Sequence, residues 1–226
     1  MEGVGASPFL VVLVSALLVG TGLTKQPGLG VLGSLLAIGA ATWARGDGWA
    51  SLGFAAPDSW WATVAFAFVL GVALQGLSIR LVEPMAERLT GEPHDHSVVA
   101  GVRGNWKAFA LWMPLVWLVV APLEEIVFRG FLMTEIARIV GTGPWATLLN
   151  VVLASVVFGL AHAYQGRSGM VSTGLLGAVL GWVFVASGFD LWLAIFVHGF
   201  VDTVGLAVIA SGSDEALRRR RPRPFG

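Results

Sequence analysis

Long apolar runs broken by short polar punctuation organise this chain. Candidate spans fall at roughly 8–23, 29–45, 59–79, 107–125, 145–163, 170–187 and 190–210. A shorter apolar piece, 129–143, lies between the fourth and fifth. The breakers are "KQPG", "RGDGWASLGFAAPDS", "GTGP", "YQGRSG" and "SGFD". Runs of this length cross the hydrocarbon layer as helices. They are continuously apolar rather than alternating, which excludes a transmembrane barrel. The pattern predicts an all-α fold, a polytopic transmembrane helix bundle of about eight membrane-embedded helical elements around a polar intramembrane cavity. Trp49, Trp60, Trp61, Trp106, Trp145 and Trp192 fall near the predicted ends, as interfacial tryptophans do. The one long polar connection, 80–106, has room for a short amphipathic helix at the membrane surface.

Composition agrees with this pattern. Hydrophobic residues make up 56% of the 226 and charged residues 12%, where a soluble domain carries about 25% charged. We expect a single integral membrane domain over 1–226, with its candidate chemistry (the catalytic core, if the resemblance described below holds) at about 107–210 and a basic cytoplasmic tail at 211–226. The first apolar run follows Glu2 without a basic n-region and reads as a retained helix rather than a cleaved signal. The absence of cysteine excludes disulfides, thiol nucleophiles and thiolate metal sites. Five of the 14 basic residues lie in the C-terminal "RRRRPRP". In a membrane protein this reads as an orientation signal or an anionic-lipid contact rather than a nucleic-acid patch. The expected partner on this ground is the lipid bilayer, with no nucleic acid; a peptide or protein substrate is what the family resemblance described below implies.

Against this apolar background the ionisable residues stand out. An ionisable group near the bilayer centre costs a few kcal/mol even on the lenient insertion scale. Outside loops and tails the inventory is Glu124, Glu125, Arg129, Glu135, Arg138, His162, His198 and Asp202. Glu135 and Arg138, three apart, suit an ordinary interfacial pair. Glu125 and Arg129 share a helix face at i and i+4, so Arg129 neutralises Glu125 and Glu124 points elsewhere. Phe158 lies one turn before His162, and His198 one turn before Asp202. Taken singly, a Glu–Arg pair at a span end is an ordinary anchor and a terminal histidine an interfacial residue. Three separate spans supplying such groups point instead to one wet cavity. Gly177 and Gly181 form a small-xxx-small step that reports tight helix packing and little about function.

Two designs for activating water fit Glu124, His162, His198 and Asp202. In one, a carboxylate and a histidine act as general base while the second histidine and its polar neighbour stabilise an oxyanion. In the other, the same four residues bind a divalent metal such as zinc, which lowers the pKa of bound water. Ligand types alone leave both open. A proton- or cation-coupled transporter using Glu124, Glu125, His162 and His198 as a relay is a different reading, but no related halves with broken helices are visible. A catalytically silent scaffold or immunity protein would share the fold. "HDH", His94 to His96, could bind a metal, but in a polar loop such residues are more often solvent-exposed.

"EEIVFR", "FGLAH" and "HGFVD" give EExxxR, FxxxH and HxxxD, in that order on successive apolar segments. They resemble the three motifs of the CPBP family, the CAAX-protease and bacteriocin-processing intramembrane endopeptidases. "LGFAAP" and "AHAYQG" are similar to family usage, and the resemblance covers roughly residues 50–210. It implies an intramembrane endopeptidase in a prokaryotic cell membrane, acting on membrane-associated, prenylated or leader-peptide-type substrates. It assigns water activation to Glu124 and His162, oxyanion stabilisation to His198 and Asp202, and structural support to Glu125, Arg129 and Phe158. Asp202 stands where CAAX-processing members resemble one another in having asparagine, and an ionised aspartate has no proton to donate to an oxyanion.

The motifs make a topological demand. Glu124 and His162 each close a candidate span. Were 107–125 and 145–163 consecutive crossings, the two would lie about 30 Å apart. The piece 129–143 is therefore expected to enter the membrane as a short, tilted or re-entrant element, with both termini on one side. Charge bias favours seven spans, which would keep Lys25, Arg80, Arg88, Arg103, Lys107 and Arg167 on the C-terminal side. Site geometry takes precedence here, because a split constellation leaves costly intramembrane polar groups unexplained. The basic tail places the C-terminus and the catalytic mouth at the cytoplasm.

Overall fold

The computed structural model describes residues 7–213. Among these residues, turns and three short 3-10 helices, at Trp49–Leu52, Ser97–Val102 and Ala163–Gln165, join seven successive long helical rods. They are α1 (Pro8–Leu23), α2 (Pro27–Arg45), α3 (Trp60–Thr90), α4 (Trp106–Val140), α5 (Pro144–Ala161), α6 (Gly166–Ala186) and α7 (Leu191–Ala210). Six helices are long and apolar enough to cross a membrane, and α1 is a shorter apolar helix. The polytopic all-α bundle is thus as the sequence indicates. The basic run "RRRRPRP" lies outside the described residues.

Local chemistry sets the rod ends. Ser7, Ser59 and Asp190 accept the backbone N–H three residues on, and Asn105 accepts those of Lys107 and Ala108. Pro8, Pro27 and Pro144 occupy the first helical turn, where no N–H is needed. Gly46 closes α2 in the left-handed conformation at φ 65°.

Two expected boundaries are absent. The segments 107–125 and 129–143 join into one 35-residue rod, α4. Likewise 83–90 continues α3 rather than forming a separate surface helix. Wide π-type turns make this possible. One spans Ser78–Val82, two residues before Pro84, and another Val116–Val120, two residues before Pro122. A proline removes one backbone donor and crowds the carbonyl four residues earlier. The wider turn accommodates both effects without ending the helix. A third π-type stretch, Ile126–Met133, carries Arg129, and 127–133 is buried throughout.

The continuous α4 resolves the topological conflict. The 141–143 turn folds α5 back against α4, an αα-hairpin. Glu124 lies 16 residues before Val140, and His162 lies 18 residues after Pro144. At 1.5 Å per residue the two reach nearly the same depth. Residues 129–140 are therefore the last third of the same continuous rod, and 141–143 is the turn after it.

Contacts between loops sort the ends of the bundle. At one end the Asp95 N–H donates to Gln165 O and the Gly104 N–H to Ile209 O. At the other, the Leu191 N–H donates to Gly53 O. There too Glu135, almost wholly buried, accepts from Ser7 N–H, Arg45 and Arg138. The Glu135–Arg138 pair is therefore a core staple joining three rods, not an interfacial decoration. Ser7 and Ile209 lie at opposite ends, so the first and last described residues do not share a side. Lys25, Arg88, Arg103, Lys107 and Arg167 gather at the Ile209 end, as charge bias favoured.

Candidate active site

Glu124 and Glu125 sit in the middle of α4, where α7 and α2 pack against this turn. Their neighbour Arg129 is 2% exposed and Glu125 is fully buried. Such charges persist only when paired and hydrogen-bonded. Arg129 Nη1 donates to Glu125 Oε1 at 2.7 Å, and Nη2 donates to the Gly177 carbonyl at 3.2 Å. Its guanidinium carbon also lies 4.6 Å from the centre of the Phe158 ring, a cation–π distance.

Glu125 does more than the i, i+4 spacing indicates. Its Oε1 also accepts from His198 Nδ1 at 2.7 Å. The carboxylate that orients His198 is thus Glu125, from another rod. Asp202, one turn along α7, keeps its Oδ2 3.7 Å from His198 Nε2. The cross-helix contact between Glu125 and His198 has no signature in sequence spacing.

His162 caps α5 and is 8% exposed. Its Nδ1–H donates to the Phe158 carbonyl at 2.8 Å, which leaves the Nε2 lone pair free. The Phe158 ring packs 4.6 Å from the imidazole, so this residue steadies both His162 and Arg129. Glu124 Oε2 then lies 3.8 Å from His162 Nε2 and 3.9 Å from His198 Nε2. Both distances exceed a direct hydrogen bond and match a bridge through one small species.

These groups open into a cavity of about 490 Å³, lined by Glu124, Phe158, His162, Tyr164, His198 and Asp202. Leu35, Val116 and Leu176 contribute apolar wall. All four residues expected to handle water therefore share one pocket. Tyr164, quoted in the sequence only within "AHAYQG", joins them with its ring 5.5 Å from His162.

The mouth brings a second surprise. Glu83, His94 and His96 line the same cavity. Glu83 is buried and both imidazoles are partly buried, so "HDH" is not the solvent-exposed loop expected. Between them the Ser97 N–H donates to Asp95 at 2.8 Å and holds that carboxyl below its usual range. Among the described residues, Glu83, His94 and His96 form the one set of three whose ligand atoms all lie within 4.8 Å of one another. His198 spends Nδ1 on Glu125, which leaves Nε2 as the ring nitrogen that faces Glu124 and Asp202.

Residues 106–204 match the family model described as Type II CAAX prenyl endopeptidase Rce1-like. This stretch, 99 of the 226 residues, is similar to that family. The match holds all three motifs and the whole of the central cluster. It is narrower than the 50–210 suggested by the sequence, and Glu83, His94 and His96 lie outside it. Comparison with curated proteins and with solved structures gave no match. The matched family is one of prenyl endopeptidases, and the matched segment lies within a bundle whose long helices are apolar enough to cross a membrane.

Proposed function

We propose that this chain hydrolyses peptide bonds inside the membrane with a water held between Glu124 and His162. The observation that carries the reading is the placement of Glu124 Oε2 at 3.8 and 3.9 Å from the two Nε2 atoms at the base of the cavity. A water there is within reach of a carboxylate base and the free lone pair of His162. Glu124 takes its proton as the oxygen attacks the peptide carbonyl. The resulting oxyanion faces His198, which as an imidazolium donates from Nε2 while Glu125 holds Nδ1. Glu124 then returns the proton to the departing amine. Asp202 sits beside His198 and holds the imidazolium by charge, without donating to the oxyanion. Glu125, Arg129 and Phe158 fix the positions of the two histidines.

Polar groups at the cavity base and aliphatic side chains on its walls suit a peptide carried by an apolar anchor. We assign the substrate class accordingly, as prenylated or otherwise membrane-associated peptides. The mouth lies at the end that gathers Lys25, Arg88, Arg103, Lys107 and Arg167, which by the positive-inside rule is cytoplasmic. The whole chain acts as one integral membrane domain, with 107–210 as its catalytic core.

The test uses purified protein in lipid vesicles and a fluorogenic peptide bearing a prenyl anchor. Wild type should cleave it, and His162→Ala should lose about 10²-fold or more of the rate, the ordinary worth of a positioned base. Cleavage undiminished in His162→Ala would overturn the mechanism. Ion flux without proteolysis, abolished by the same change, would replace it with a transporter.

A further inference from the structure

Glu83, His94 and His96 come from two parts of the chain with no shared periodicity. Glu83 lies in α3, just after the π-type turn at Ser78–Val82. The two histidines lie in the 91–97 turn that follows the same rod. Their ligand atoms nevertheless fall within 4.8 Å of one another. The imidazoles stack with centroids 4.4 Å apart and planes 19° from parallel, so the two rings lie side by side.

The turn is held firmly in place. The His94 N–H donates to Glu87 Oε1 at 3.2 Å, and the Asp95 N–H donates to the Gln165 carbonyl at 3.0 Å. The Arg167 N–H donates to Glu92 at 3.3 Å. His94 Nδ1 lies 3.3 Å from the buried Ser172 Oγ, which itself donates to the Ser168 carbonyl. That contact fixes the ring from behind, as the outer hydrogen bond of a metal-bound histidine does.

We propose that Glu83, His94 and His96 bind a divalent transition ion of the zinc class at the cavity mouth. Two imidazoles and one carboxylate suit such an ion better than magnesium or calcium, which prefer all-oxygen shells. Zinc held about 2.0–2.2 Å from each ligand sets the ligand atoms ~3.3–3.5 Å apart, so only a small contraction of this set is required. Three protein ligands leave a fourth position, and all three residues face the cavity. The ion ties the 91–97 turn to α3 at the entrance used by substrate. This site is separate from the water-activating cluster and does not depend on the mechanism assigned to Glu124.

The test is titration of full-length protein in lipid nanodiscs with Zn²⁺ and with Co²⁺ alone, read by calorimetry and by the visible spectrum of cobalt. Wild type should bind one ion per chain with a tetrahedral cobalt spectrum. His96→Ala and Glu83→Gln should each weaken binding more than tenfold, and Ser172→Ala, which leaves the ligands intact, about tenfold. Glu124→Gln and His162→Ala should bind the ion as wild type does. Absence of binding by folded wild type overturns the proposal. Binding unchanged by His96→Ala and Glu83→Gln overturns it too. Binding lost with Glu124→Gln and kept by His96→Ala moves the ion to the catalytic cluster, against the proposal.

Discussion

At the scale of single residues, the organising fact is the chain Arg129–Glu125–His198, with contacts of 2.7 Å at both links. Removing one member of a buried charge pair leaves the other uncompensated, at a cost of about 3–5 kcal/mol. Arg129→Ala should therefore destabilise the protein by that amount, measurable by unfolding in mixed micelles, and should lose activity through misplacement of His198. Asp202 is a different case. Its 3.7 Å separation from His198 Nε2 makes it a neighbour rather than a hydrogen-bond partner. Asp202→Asn, which supplies a donor, should keep kcat within about fivefold of wild type, the worth of an ordinary hydrogen bond. A loss of several orders of magnitude would show that the negative charge itself is essential. That Glu124, His162, His198 and Asp202 line one cavity was legible from motif and spacing. The partnership of Glu125 with His198 was not, because it joins residues 73 positions apart on different rods.

At the scale of elements, the spans were legible from hydropathy, but α4 was not legible as one helix. The polar run at 124, 125 and 129 imitates a span end when read along the sequence. In three dimensions those charges neutralise one another inside the bundle, so the helix continues through them. Close helix approach at α5 and α6 then positions His162. A methyl added at Gly159 would lie 2.6 Å from the Met170 carbonyl oxygen, a contact that backbone cannot relieve cheaply. At Gly181 the nearest atom is the flexible Met133 side chain at 3.4 Å. Gly159→Ala should thus cost about 1–3 kcal/mol as overpacking. Gly181→Ala should sit within about 0.5 kcal/mol of wild type, as substitutions that meet no such obstacle do. Equal destabilisation by the two would contradict the packing described.

At the scale of the whole molecule, seven rods place Ser7 and Ile209 at opposite ends and the cavity mouth at the end of Ile209. Because the sequence has no cysteine, single-cysteine variants report sidedness without background. An impermeant maleimide applied outside intact cells should label Asp58→Cys and leave Val98→Cys unlabelled until the membrane is opened. The reverse pattern would turn the mouth outward. The sequence carried the charge asymmetry that predicts this orientation, but the assumed break in α4 set it against the site geometry. The central claim is the role of Glu124 as the base that activates water. Its most direct test is the cleavage rate of Glu124→Gln, measured beside peptide affinity and thermal stability in the same vesicles. The account predicts a fall in kcat of about 10²–10⁴ with affinity and stability preserved, whereas a rate equal to wild type in folded, peptide-binding protein would contradict it.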